Sequence, residues 1–179
     1  ITLIICTYNR EKYIRPLLES IAKNDYPTTD YEIVLVDNNC TDNTRSACEQ
    51  FATAHPEVAL RYVVEPEQGL SAARNKGIKE AKGDILFFID GDMELLSGFL
   101  PKVIENGKLV YPFVSGLFID VIHDENWNYL GEKVRSKITK DTYQTTTGGL
   151  FIVEKELWNN VGGIDDRLRI NEDFDLWND

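Results

Sequence analysis

Short apolar runs alternate along the first half of the chain with stretches whose apolar positions recur every three or four residues. Ile1 to Cys6 is apolar and β-rich and predicts a first strand. Ile14, Leu17, Leu18 and Ile21 follow at i, i+3, i+4 and i+7, the signature of one buried helix face. Pro16 is expected in the first turn of that helix or at a kink in it. Tyr31 to Val36 predicts a second strand. A helix capped by Thr41 or Asp42 follows, with Ala47, Cys48 and Phe51 facing inward. Val58 to Val64 predicts a third strand, Leu70 to Lys82 a helix stopped by Gly83, and Ile85 to Ile89 a fourth strand. Strict alternation of this kind implies a single α/β domain, with a mostly parallel central sheet and helices on both faces.

Beyond Asp92 the pattern loosens. Val114 to Ile122 and Leu150 to Val153 predict further strands, and the polar stretch from His123 to Thr147 between them reads as a lid, an acceptor loop or a surface excursion. Glu154 to Val161 predicts a short helix, ended by Gly162-Gly163. No internal repeat or linker divides the chain, so residues 1–179 are read as one domain. Ile1 lies inside an apparent strand and Asp179 inside an apparent helix, so that domain is expected to be incomplete at both ends.

Composition narrows the classes. Hydrophobic residues at 42% and charged residues at 27% suit a soluble globular chain of 179 residues. A net charge of −11 argues against a binder of nucleic-acid backbones. An acidic protein can still hold a phosphorylated ligand through a cation that neutralises the contact. The three cysteines, Cys6, Cys40 and Cys48, are odd in number and lack metal-ligand spacing, which favours a reducing compartment. No stretch approaches the ~20 apolar residues of a membrane span. The expected location is cytoplasmic, with room for peripheral association at the inner face of a membrane.

The candidate chemistry lies at the strand exits. Asp90-Gly91-Asp92 directly follows the apolar run 85–89, placing two carboxylates at the carboxyl end of a sheet, where open α/β folds bind ligands. Taken alone this is a good turn sequence. Hard oxygen donors so spaced also suit Mg²⁺ or Mn²⁺ bridging to phosphate. Thr7-Tyr8-Asn9-Arg10 leaves strand one and Asp37-Asn38-Asn39 leaves strand two, on the same edge. Helix capping and turn formation would explain each singly, but three polar exits converging on one edge point to a ligand. Arg74, near the start of the third helix, adds a guanidinium close to a helix N-terminus. Neither a G-x-G-x-x-G nor a P-loop is present, which disfavours dinucleotide oxidoreductases and P-loop ATPases. Asn171-Glu172-Asp173-Phe174-Asp175 offers carboxylates that could cap a helix or serve as a general base.

Together with Gly69-Leu70-Ser71-Ala72-Ala73-Arg74-Asn75, Gly83-Asp84, Gly148-Gly149 and Gly162-Gly163-Ile164-Asp165, these motifs stand in an order that resembles glycosyltransferase family 2, the inverting enzymes of Rossmann-like GT-A fold. The resemblance covers nearly the whole chain. It implies transfer of a sugar from a nucleotide-diphosphate donor, with UDP first in line, to a hydroxyl of a glycan or lipid-linked acceptor in polysaccharide or cell-surface glycan synthesis. It further implies nucleotide contacts from Thr7, Tyr8, Asn9, Arg10, Asp37, Asn38, Arg74, Asp90 and Gly91, with Asp37 at the base. A Mn²⁺ or Mg²⁺ cofactor would sit on Asp92 with help from Asp90. Asp173 corresponds to the catalytic base with Glu172 beside it, and Gly148 and Gly149 line the meeting point of donor sugar and acceptor. The stretch from His123 to Thr147 matches no specificity signature, leaving donor sugar, acceptor and oligomeric state open. Three other classes compete, one of them a purely structural α/β module, which would have no reason to line up acidic residues at successive strand exits. A non-catalytic nucleotide-sugar-binding module would keep Asp37 and Asp92 without needing Asp173. A sugar nucleotidyltransferase would carry a Gly-rich phosphate loop where Thr7-Tyr8-Asn9 stands.

Overall fold

The apolar runs become strands because both of their faces are covered. A computed structural model describes residues 1–115, 119–126, 128–134 and 149–162. In chain order the elements are β1 (Thr2–Thr7), α1 (Glu11–Ala22), a 3₁₀ turn (Thr28–Asp30), β2 (Glu32–Asp37), α2 (Thr44–Ala54), β3 (Leu60–Val64), α3 (Leu70–Glu80) and β4 (Ile85–Asp90). There follow α4 (Phe99–Val103), β5 (Ile104–Glu105), β6 (Lys108–Leu109), β7 (Phe113–Ser115), β8 (Ile119–His123), β9 (Tyr129–Val134), β10 (Leu150–Glu154) and α5 (Lys155–Asn160). The central sheet has the order β3-β2-β1-β4-β10-β7. The pairs β1–β2, β2–β3 and β1–β4 are parallel, whereas β10 runs antiparallel to both β4 and β7.

Side chains alternate across each strand, so the sheet divides the core in two. Leu3, Ile5, Ile33, Leu35, Phe87 and Ile89 face α1 and α2, meeting Ile14, Leu17, Leu18, Ile21, Cys48 and Phe51. On the opposite face Ile4, Leu86, Phe88, Phe151 and Val153 meet Trp158 of α5, while Val34 and Val36 meet Ala73 of α3. Helix α3 lies close to the sheet because Gly77 has no side chain. A Cβ there would stand 2.4 Å from Ile4 Cγ2 and 3.3 Å from Val36 Cγ2. This is the expected mostly parallel α/β fold with helices on both faces.

Several local expectations need correction. Of the two places expected for Pro16 the first turn is excluded, since the residue lies inside α1, and the helix forgoes the N–H that would reach back to the Lys12 carbonyl. The strand expected over Val114 to Ile122 is divided, because β7 pairs with β10 in the central sheet and β8 pairs with β9 in a separate two-stranded sheet. The polar stretch after His123 is therefore not loop throughout: Tyr129–Val134 is β9. Ala47 is only half-buried, while Thr44, at the start of α2, is fully buried. Gly162 ends α5 at φ +88°, as expected, and Gly163 lies outside the described residues. Among the described residues no helix is long and apolar enough to cross a membrane.

Candidate functional site

Strand register brings the polar exits to one edge. Thr7 is opposite Asp37 across β1 and β2, Cys6 is opposite Asp90 across β1 and β4, and Asp37 is opposite Val64 across β2 and β3. Because β10 is antiparallel, its start lies at this same edge, and the Asp90 N–H donates to the Gly149 carbonyl at 2.9 Å. Thr7, Asp37, Asp90 and Gly149 thus line one rim of the sheet. Period-2 alternation then divides them, with Thr7 and Asp37 continuing the α1/α2 face and Asp90 continuing the α3 face.

Asp37 is buried, and both of its carboxylate oxygens are engaged. Oδ1 accepts the Cys40 N–H at 2.6 Å and Oδ2 accepts the Tyr62 hydroxyl. Tyr62 stands opposite Leu35 in β3, so its ring runs along the sheet for the length of two residues to reach Asp37. The Arg45 guanidinium covers that ring at 5.0 Å from its centroid. Burial, and after it the bond to Asp37, raises the Tyr62 pKa, which keeps the hydroxyl protonated as a donor.

Asn38 is also buried, and its amide is consumed by the protein. Its Nδ2 donates to the carbonyls of Glu65 and Glu67 at 3.0 and 2.6 Å, and its Oδ1 accepts from Gln68 Nε2 and the Gly69 N–H at 3.2 and 2.8 Å. Asn38 therefore braces the segment that leads into α3. Asn9 does similar work between the first two loops. At φ +53° its Oδ1 accepts the Thr41 N–H at 2.7 Å, and its own N–H donates to Cys40 Sγ at 3.3 Å. Tyr8 beside it is exposed.

Arg74, a surface residue in most helices, is here 3% exposed at its side chain. Its guanidinium lies 5.7 Å from the centre of the Phe151 ring, and Nη2 approaches Asp90 Oδ1 at 3.8 Å. It thus supports Asp90 from beneath the rim. Nearby, burial pushes the Cys6 thiol up to about 12, so it stays an inert thiol. Asp92 projects outward at 45% exposure, with Arg10 Nη2 at 3.7 Å from its Oδ2. Between the two aspartates Gly91 is buried, and a Cβ there would crowd Ile14 Cδ1 at 3.3 Å and sit in ordinary contact with Thr7 Oγ1 at 3.4 Å and the Cys6 carbonyl at 3.5 Å. The Thr7 hydroxyl lies under Gly91 and, among the described residues, is buried without a hydrogen-bond partner.

Among the described residues no group of three or more His, Cys, Asp and Glu is arranged to hold an ion unaided. Asp90 and Asp92, two positions apart at the exit of β4, carry hard oxygen donors of the type that binds Mg²⁺ or Mn²⁺ together with substrate phosphates. The donor chemistry therefore fits the cofactor. Gly148, Glu172 and Asp173 lie outside the described residues. Tyr62, Phe151 and Cys40 are additions that the sequence reading missed. A tyrosine two positions before a strand exit was the only available signal for the first of these.

Comparison with known proteins identifies the family and the fold. The glycosyl transferase family 2 profile matches residues 2–158. Glycosyltransferase AglE of Haloferax volcanii is 31% identical over 122 residues, 68% of this chain and 38% of that protein. The Staphylococcus aureus TarS 1-349 structure superposes with a TM-score of 0.70 at 25% identity, covering 96% of this chain and 52% of that one. The mannosyltransferase PcManGT of Pyrobaculum calidifontis, solved with GDP-Man and Mn²⁺, gives 0.68 at 27% identity, with 92% of this chain and 47% of that one covered. The chain spans about half or less of the length of each. Matched over nearly its whole length and folded as a GT-A glycosyltransferase, the chain belongs to glycosyl transferase family 2.

Proposed function

We propose that the protein transfers a sugar from a nucleotide-diphosphate donor, UDP-linked by preference, to an acceptor hydroxyl with inversion at the anomeric carbon. The observation that carries this reading is the shared rim: Thr7, Asp37, Asp90 and Asp92 leave parallel strands at one edge, where α/β sheets bind nucleotides. Asp37, an acceptor-only carboxylate, receives the ring N–H of the base. The GDP-Man and Mn²⁺ held by PcManGT support a nucleotide-diphosphate sugar as the class of donor.

In this mechanism Asp92, with Asp90, would hold Mn²⁺ or Mg²⁺. When bound, that ion supplies positive charge against the departing diphosphate. Arg74 keeps Asp90 in place from below, and buried Gly91 lets the two aspartates flank a turn pressed onto β1. Asp173 takes the proton of the attacking hydroxyl, with Glu172 in support, and a single displacement inverts the centre. Gly148 and Gly149 border the donor sugar. Residues 1–179 belong to a catalytic GT-A domain, and the acceptor is a glycan or lipid-linked saccharide. The test is a panel of UDP-, GDP-, CDP- and dTDP-sugars scored for Mn²⁺-dependent thermal stabilisation, since a ligand bound by the native state raises the melting temperature by mass action. A UDP-sugar should stand out. Equal, metal-independent shifts across the panel would overturn the proposal.

A further inference from the structure

We infer that Tyr62 is a specificity-determining positioning residue, which sets the nucleobase preference by locking the carboxylate of Asp37 in one orientation. The inference rests on the proposed role of Asp37 at the base. An aspartate carboxylate turns about a terminal torsion with a broad, roughly two-fold profile, so a single hydrogen bond to one oxygen leaves its plane loosely set. Here two donors on different oxygens act together: the Cys40 N–H on Oδ1 and the Tyr62 hydroxyl on Oδ2. Each carboxylate oxygen carries two lone pairs, so after these bonds each retains one for an incoming donor.

The two donors come from separate elements. Cys40 lies in the loop that Asp37 itself begins, and moves with it. Tyr62 belongs to β3, 25 residues away, and is packed against the α1/α2 core. It fixes the carboxylate to the sheet rather than to its own loop. Arg45 of α2 covers the ring at 5.0 Å, confining the phenol between that helix and Asp37. A fixed acceptor suits a base that presents an N–H, as uracil does at N3. Cytosine presents a lone pair there, so the same fixed carboxylate repels it. A carboxylate free to turn would lose part of both effects, and the discrimination would fall together with the affinity.

Tyr62→Phe removes only the hydroxyl and retains the ring beneath Arg45. The experiment is titration calorimetry of UDP and CDP with Mn²⁺, on wild type and variant, alongside thermal melting of both. The expected result is a UDP affinity about tenfold weaker, the scale of one hydrogen bond to a charged group. CDP affinity should hold or rise slightly, so the UDP:CDP ratio collapses, while the melting temperature falls by the few degrees expected for a buried carboxylate that loses one donor. A variant that weakens UDP and CDP alike, or keeps the wild-type ratio, would overturn the role of Tyr62 and reduce the residue to a structural brace. Wild-type protein with no preference for UDP over CDP would overturn the prior assignment of Asp37. That failure is visible without the variant and so is distinct from failure of the Tyr62 inference.

Discussion

Arg10 Nη2 stands 3.7 Å from Asp92 Oδ2, with both side chains about half exposed. The residue proposed to hold a cation therefore already has a cationic neighbour at the start of α1. Asp92→Ala should abolish the difference in UDP affinity between Mn²⁺ and EDTA. Arg10→Ala should strengthen binding of Mn²⁺ alone, by no more than a few-fold, because an exposed ion pair is weak. Calorimetry with the metal alone and with metal plus UDP checks both. Equal UDP affinity in Mn²⁺ and EDTA for the wild type would remove the metal from the site.

Gly77→Ala tests the seating of α3, which carries Arg74 beneath Asp90. The added methyl would stand 2.4 Å from Ile4 Cγ2, so helix and sheet must part. Overpacking of this kind costs about 1–3 kcal/mol, against a gain of about 1 kcal/mol in helix propensity. The net effect is a melting temperature lower by several degrees, about 2–4 °C per kcal/mol at this chain length. A melting temperature at or above that of wild type would show that α3 is not held by this contact.

Acid should destabilise the fold through Glu32 and Asp42. Burial alone would raise the Glu32 pKa, but the Lys82 N–H, the Thr2 hydroxyl and Arg61 outweigh it and hold it below the ordinary value. Burial likewise opposes, and the Thr44 hydroxyl with the Glu11 and Thr44 N–H groups outweighs, in lowering Asp42. Asp42 thereby ties the N-terminus of α2 to that of α1. A carboxylate with a depressed folded pKa contributes stability that is complete above its unfolded value of about 4 and is lost as pH falls through the folded value. The melting temperature should be flat from about pH 8 to 5 and fall below about pH 4. Glu32→Gln and Asp42→Asn should each lower it at neutral pH and flatten the acid limb. Variant curves parallel to the wild type would assign the acid response to other groups.

The limits of legibility follow the same physics. Strands β1, β2 and β4 were readable because burial on both faces makes them continuous apolar runs, and α1 because Ile14, Leu17, Leu18 and Ile21 repeat at helical spacing. Strand β9 was not, since Tyr129, Leu130 and Val134 are all exposed and no face alternates. The break between β7 and β8 was hidden because an apolar run does not show which sheet each half joins. At the site, aspartates and glycines mark strand exits in any α/β chain, so Asp37, Asp90 and Asp92 could be named from sequence. Tyr62 could not, because its significance arises from pairing across strands with a residue 25 positions away. Arg74 was located, but its burial under Asp90 depended on Phe151, from a strand far along the chain.

Asp173→Asn separates catalysis from binding. The proposed base needs a carboxylate whose proton affinity changes as the acceptor hydroxyl attacks, and Asn retains the shape while losing that basicity. Loss of a general base typically costs on the order of 10²–10⁴ in rate. Turnover should therefore collapse while UDP affinity stays near wild type, whereas Asp92→Ala should damage both. The competing account is that Asp173 caps a helix. Losing a cap costs only ~1 kcal/mol of stability, and Asn caps as well as Asp. Under that account Asp173→Asn would transfer sugar at close to the wild-type rate. The measurement is steady-state release of UDP in the presence of a saccharide acceptor, with nucleotide affinity measured in parallel. A rate within a few-fold of wild type would move the base to Glu172 or Asp175, and the same substitution made at each would then identify it.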